Sequence, residues 1–215
     1  DRMTLDHMIE SADGVIIAVA IGLVVMSVLS WAAIAARLLY GWQRLRQRPA
    51  APEAFWAEAD RERATQLIAE SDRSGLLLRL AHRAQAAASA AGGTLSDRLV
   101  RQLRDELLLI RNDLSSGLGL LASIGSTAPF VGLLGTVWSI FRALTSIQGQ
   151  GQVMIDQVAG PVGEALVMTA AGLFVAIPAV LAFNAFQRLS QRHMAGIEAF
   201  ADDLLQHPAF SSEKN

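Results

Sequence analysis

Residues 160–186 read GPVGEALVMTAAGLFVAIPAVLAFNAF, with one carboxylate, Glu164, and no cation. As a helix this run extends ~40 Å at 1.5 Å per residue, enough to cross a hydrocarbon core of ~30 Å. An ionised side chain left in that core costs ~2.5–3.5 kcal/mol even on the most lenient insertion scale. The acid therefore needs a physical reason to be there.

Two further apolar runs flank the question. Gly14–Ala36 is 23 uncharged residues, about 34 Å of helix. It is preceded by acids rather than cations and is longer than a signal-peptide core. Leu118–Ile147 carries a single charge, Arg142. The third run starts at Pro161 at the latest. VMIDQVAG before it is also helix-compatible, so a start at Val153 stays open. Over the 215 residues, 52% are hydrophobic and 18% charged, with mean hydropathy +0.35. That balance points to a polytopic membrane protein. A net charge of −2 gives no overall basicity for nucleic acid. The absence of cysteine excludes disulfides, thiolate metal sites and thiol nucleophiles. His7, His82, His193 and His207 are far apart and form no ligand pattern.

The cations set the direction of threading. Residues 1–13 hold one Arg against four acids, and residues 148–160 hold no cation. Residues 37–116 hold 13 arginines, with Arg37, Arg44, Arg46 and Arg48 directly after the first span. Arg188, Arg192 and Lys214 follow the third. The reading is an all-α inner-membrane protein with three transmembrane helices and its N-terminus outside. Its segments are a periplasmic N-terminus (1–13), transmembrane helix 1 (14–36), a cytoplasmic helical region (37–117) and transmembrane helix 2 (118–147). A short periplasmic loop (148–160), transmembrane helix 3 (161–186) and a cytoplasmic tail (187–215) complete it. Trp31, Tyr40 and Trp42 fit an inner interfacial belt.

Pro49 and Pro52 punctuate the exit from the first span. Residues 53–91 are rich in helix formers and read as two helices broken near Ser74-Gly75. Gly92-Gly93 break the chain again, and Thr94 or Ser96 caps the next helix. Along it Leu99, Leu103, Leu107, Ile110, Leu114 and Leu118 recur at spacings of three and four. They predict one long helix over 96–147, weakened at Gly117 and Gly119. No phosphate loop, metal spacing or Ser/His/Asp set is present, so the cytoplasmic part reads as scaffold. Its 13 arginines face ten acids and are mostly a solvated surface.

The spans themselves are two-sided. In the second, Gly125, Pro129, Gly132, Thr136, Ser139 and Ala143 form a small, weakly polar stripe, opposite Phe130, Leu134, Val137, Phe141 and Leu144. Small stripes meet other helices or a cavity, and bulky ones meet lipid. Ala165, Thr169, Gly172, Ala176 and Ala179 form the matching stripe of the third span, with Glu164 at its edge. If the outer turn centres near Gln150, Thr136 and Glu164 lie at one depth and Thr169 about 7 Å deeper. A carboxylate flanked by hydroxyls at mid-membrane suits a proton or cation path. Two plainer readings stay open: Glu164 snorkels to the outer surface, or it pairs with Arg142. A membrane Thr also often just bonds its own i−4 carbonyl.

GSTAPFVGLLGTVWSIFRAL (125–144) followed by GPVGEALVMTAAGLFVAIPAVLAFN (160–184) resembles the MotA/TolQ/ExbB proton-channel family, the ExbB branch above all. The motif match covers about residues 118–190, and span order extends it to nearly the whole chain. GPVGEAL stands where many relatives have PGIAEAL, which leaves the acid in place. The resemblance implies a homopentamer around a pore that holds transmembrane helices of a partner, ExbD. Proton flow would be coupled to partner movement, energising TonB for uptake of iron chelates, haem or vitamin B12. It implies no cofactor, no metal and no enzyme activity. The family's pore residues fall on Thr136, Glu164 and Thr169; Arg142 matches no motif position. The TolQ branch, of the Tol–Pal cell-envelope system, shares these motifs. A passive membrane scaffold is the competing reading from another class.

Overall fold

The computed structural model describes residues 14–41, 53–58, 60–72, 74–89, 94–147 and 155–207. In chain order the helices are α1 (Gly14–Ala36, running on into a π-helical turn at Arg37–Gly41), α2 (Glu53–Ala57), α3 (Arg61–Ser71) and α4 (Leu76–Ser89). They continue as α5 (Leu95–Ser115), α6 (Leu118–Ile147) and α7 (Ile155–Gln206). Among the described residues every regular element is helical, and three are long and apolar enough to cross a membrane. The chain divides into two compact units.

The first unit comprises α1, α6 and α7 as far as Ala185. α1 packs on α6 and buries Val19, Leu23, Ser30 and Ile34. Ile21, Val24, Val25, Val28 and Trp31 face outward. A unit that leaves so many large apolar side chains uncovered is built for lipid or for other membrane helices. Tyr40's side chain and Trp42 lie outside the described residues, as do Pro49, Pro52, Gly92, Gly93 and the segment 1–13.

The second unit is a helical bundle of α2–α5 with the last part of α7. Leu99, Leu103 and Ile110 of α5 are fully buried with Ile68, Leu77, Leu80, Ile197 and Leu204. The expected break at Ser74-Gly75 is present, with Gly75 at φ +72°, a conformation that costs glycine nothing. Thr94 caps α5: its hydroxyl oxygen accepts the Asp97 amide at 3.2 Å.

One expectation is corrected. The single helix over 96–147 is two helices, because Gly117 takes φ +76° and ends α5 in the left-handed conformation typical of helix C-termini. The carbonyls freed there find partners. Leu114 O accepts Arg37 Nη2 at 2.9 Å and Ser190 Oγ at 3.1 Å, and Ser116 O accepts Arg37 as well. The third span and the part of the tail as far as Gln206 lie on one helix that begins at Ile155. No strong breaker comes after Pro178, and Met194, Ile197, Ala201 and Leu204 continue an apolar stripe at spacings of three and four.

Candidate functional site

The site is built where α6 and α7 approach most closely. A Cβ on Gly132 would stand 2.6 Å from the Met168 carbonyl oxygen, and one on Gly172 would stand 2.7 Å from that of Ala128. Only glycine leaves the two backbones this near, the packing mode of small residues between membrane helices. Gly125 makes a softer approach, its nearest neighbour being Val180 Cγ2 at 2.5 Å.

One turn from Gly132, this closeness brings two hydroxyls together. Thr136 is buried, and its Oγ1 donates to the Ala165 carbonyl across the helix pair at 2.9 Å. Its own i−4 carbonyl, Gly132 O, lies at 3.2 Å as the alternative acceptor. With its one proton directed to Ala165, Thr136 accepts the hydroxyl of Thr169. Ser139 and Ala143 are also buried, whereas Phe130, Leu134, Val137, Phe141 and Leu144 are exposed.

The hairpin register differs from the arithmetic based on Gln150. Gly125 lies against Val180, Gly132 against Gly172 and Thr136 against Thr169, so the centre of the turn falls a little past Gln150. Thr136 is level with Thr169, not with Glu164. Glu164, five residues nearer the turn, stands about 7 Å from that level. Its counterpart on α6, four to five residues beyond Thr136, is the pair Ile140-Phe141. Glu164 and Arg142 are both exposed. The structure thus brings together Thr136, Thr169 and the glycines, with Glu164 at a separate level.

Side-chain patterns did not reveal the Ala165 carbonyl, because a backbone acceptor leaves no mark in composition. They also missed a charge cluster in the second unit. Glu106 is buried, its carboxylate accepting Arg79 Nε at 2.6 Å and Arg83 Nε at 2.8 Å. Arg79 Nη1 also reaches Asp113 at 2.8 Å. The hydrogen bond that Arg79 donates to Asp113, together with the Glu106 carboxylate, holds the Arg79 guanidinium protonated above its already high ordinary value. The i, i+4 spacing of Arg79 and Arg83 was the available signal. In the same unit, His207 is buried with Nε2 at 2.8 Å from the Phe55 carbonyl and its ring against Phe55 and Trp56. Among the described residues no cluster of His, Asp or Glu is arranged to hold a metal ion.

Comparison with known sequences gives a consistent answer. The profile of the MotA/TolQ/ExbB proton channel family matches residues 74–199. The chain is 39% identical over 198 residues to the biopolymer transport protein ExbB of Xanthomonas campestris pv. campestris (strain B100), covering 86% of this chain and 78% of that protein. It is 37% identical over 212 residues to the ExbB of Neisseria meningitidis serogroup B, covering 94% and 96%. It is also 42% identical over 108 residues to the Tol-Pal system protein TolQ of Pseudomonas aeruginosa, covering 49% and 46%.

Proposed function

The chain belongs to the MotA/TolQ/ExbB proton channel family, and from that membership we propose that it is the channel subunit of a motor driven by the proton-motive force. It is a membrane transport protein, not an enzyme. It sits in the bacterial inner membrane with its N-terminus outside and assembles as a homopentamer. The pore receives the transmembrane helices of an ExbD-type partner, and proton flow energises TonB for uptake of iron chelates, haem or vitamin B12. The length of the ExbB likeness, nearly the whole chain against one relative, supports that partner set.

One observation carries the mechanism: the Thr136 hydroxyl spans α6 and α7 and accepts from Thr169. Each hydroxyl is donor and acceptor together, so the pair can hand a proton on without either side chain becoming charged. Glu164, one level nearer the turn, is the titratable group of the path. The deciding experiment is Glu164→Gln, which keeps shape and hydrogen bonding but cannot ionise. It abolishes TonB-dependent uptake while the complex still assembles. Normal uptake at normal expression would make the acid structural and end this reading.

The TolQ likeness favours a second reading, a Tol–Pal subunit. Co-purification from native membranes separates the two: an ExbD-type partner supports the first, a TolR-type partner the second.

A further inference from the structure

α1 does not end as it began. Its last turn, Arg37–Gly41, is π-helical, a form that is rare and found mostly as single turns at functional sites. No proline lies in residues 14–41 to force it. The turn opens on a residue whose side chain reaches α5. Arg37 Nη2 donates to Leu114 O at 2.9 Å and also to Ser116 O. Both carbonyls stand at the end of α5, where Gly117 at φ +76° stops the helix. A helix C-terminus carries partial negative charge and favours a cation, and hydrogen bonds from an ionised donor are roughly twice as strong as neutral ones. Leu114 O also accepts Ser190 Oγ of α7 at 3.1 Å, which occupies its second lone pair. One carbonyl therefore joins the last turn of α1, the end of α5 and α7, all within the second unit.

We propose that Arg37 is a latch: its grip on the end of α5 holds the turn Arg37–Gly41 in the π form, and release lets that turn relax to an α-helix. The inference stands apart from the channel reading and needs no proton flux. A π turn takes up about one residue more than an α turn, and one residue is ~100° of α-helix. Latching and release thus turn the backbone that leaves at Gly41 by about that angle around the axis of α1. The charge of Arg37 is not what makes it necessary. Arg44, Arg46 and Arg48 also follow the span, so the direction of threading does not hang on Arg37 alone. Lysine is one atom shorter and more strongly hydrated than arginine, so it should not bridge the two carbonyls.

The test is magnetic resonance and amide hydrogen exchange on the whole chain in lipid nanodiscs. In Arg37→Gln the Cα shifts of Leu38 and Leu39 should move to α-helical values. Exchange at residues 112–116, the end of α5, should quicken by about tenfold or more, as expected when a charged hydrogen bond is lost. Residues 99–110 should exchange as before. Ser190→Ala should leave the π turn in place, since Arg37 keeps both of its acceptors. Native values for the Gln variant in either measurement overturn the latch. So does faster exchange spread evenly over 99–116, which is general destabilisation, and so does loss of the π turn in Ser190→Ala. Should Arg37→Gln fail to insert, Arg37→Lys, which keeps the charge, is judged by the same two measurements, and native values in either overturn the proposal.

Discussion

A Cβ placed on Gly132 would stand 3.1 Å from the Cα of Gly172, and one placed on Gly172 would stand 3.1 Å from the Cα of Gly132. Two backbones 40 residues apart in sequence are in mutual contact, and neither glycine can gain a side chain without parting α6 from α7. Every polar relationship of the site depends on that closeness, because the reach of a threonine hydroxyl is short.

Gly132→Ala and Gly172→Ala should each destabilise the protein by about 1–3 kcal/mol through overpacking, since what a methyl group meets is backbone. Gly125→Ala should be milder, because its nearest neighbour is the end of the Val180 side chain, which can turn aside. Gly160→Ala and Gly163→Ala meet nothing within 4 Å and should be neutral or stabilising by up to about 1 kcal/mol. Thermal unfolding in a mild detergent ranks the five. Equal effects throughout would remove the packing argument.

Thr136→Val keeps the shape and deletes the donor to Ala165 together with the acceptor for Thr169. Proton flux should fall sharply, with a stability loss of about 1–3 kcal/mol, whereas Thr136→Ser should retain most of both. Thr169→Val should be non-additive with Thr136→Val, with a coupling of about 0.5–3 kcal/mol as expected of groups in one network. A double-mutant cycle with zero coupling would mean that each threonine acts alone.

The outward side of the spans should behave differently. Phe130, 70% exposed, and Phe174, 73% exposed, should accept Leu with stability changed by no more than about 0.5 kcal/mol. Growth on chelated iron as sole iron source reads the functional side of the same substitutions. Defects as large as those of Gly132→Ala would show that these positions contact another protein chain rather than lipid.

Glu106→Gln leaves Arg79 and Arg83 facing a neutral group in a buried place. Removing one partner of a buried pair is costly, but both arginines are partly exposed, so a loss of about 1–3 kcal/mol is expected. Salt should change the wild type little at this site, since the carboxylate itself is buried. The Arg79 pKa is raised in the folded state, so its contribution is present at every pH below the unfolded value. It is lost only at strongly alkaline pH, and stability between pH 6 and 10 should show no step from it. Chemical denaturation at several pH values checks both statements.

The charge-poor runs of α1, α6 and α7, the isolation of Glu164, the break at Gly75 and the Thr94 cap were all legible in the sequence. They are local or additive properties. Burial of apolar side chains sums over some twenty residues, and a left-handed turn or a helix cap involves only neighbours. The family likeness was also legible, since two motif blocks stand in order. The end of α5 at Gly117 was not, because a glycine weakens a helix without ending it unless the freed carbonyls find partners. Here they are met by Arg37 and Ser190, both far away in sequence. The level of the threonines relative to Glu164 was likewise a tertiary matter. Counting residues from a guessed turn centre put Thr136 opposite the acid. The register is set instead by where Gly132 and Gly172 let two backbones touch, and a one-dimensional pattern holds no record of which glycine faces which.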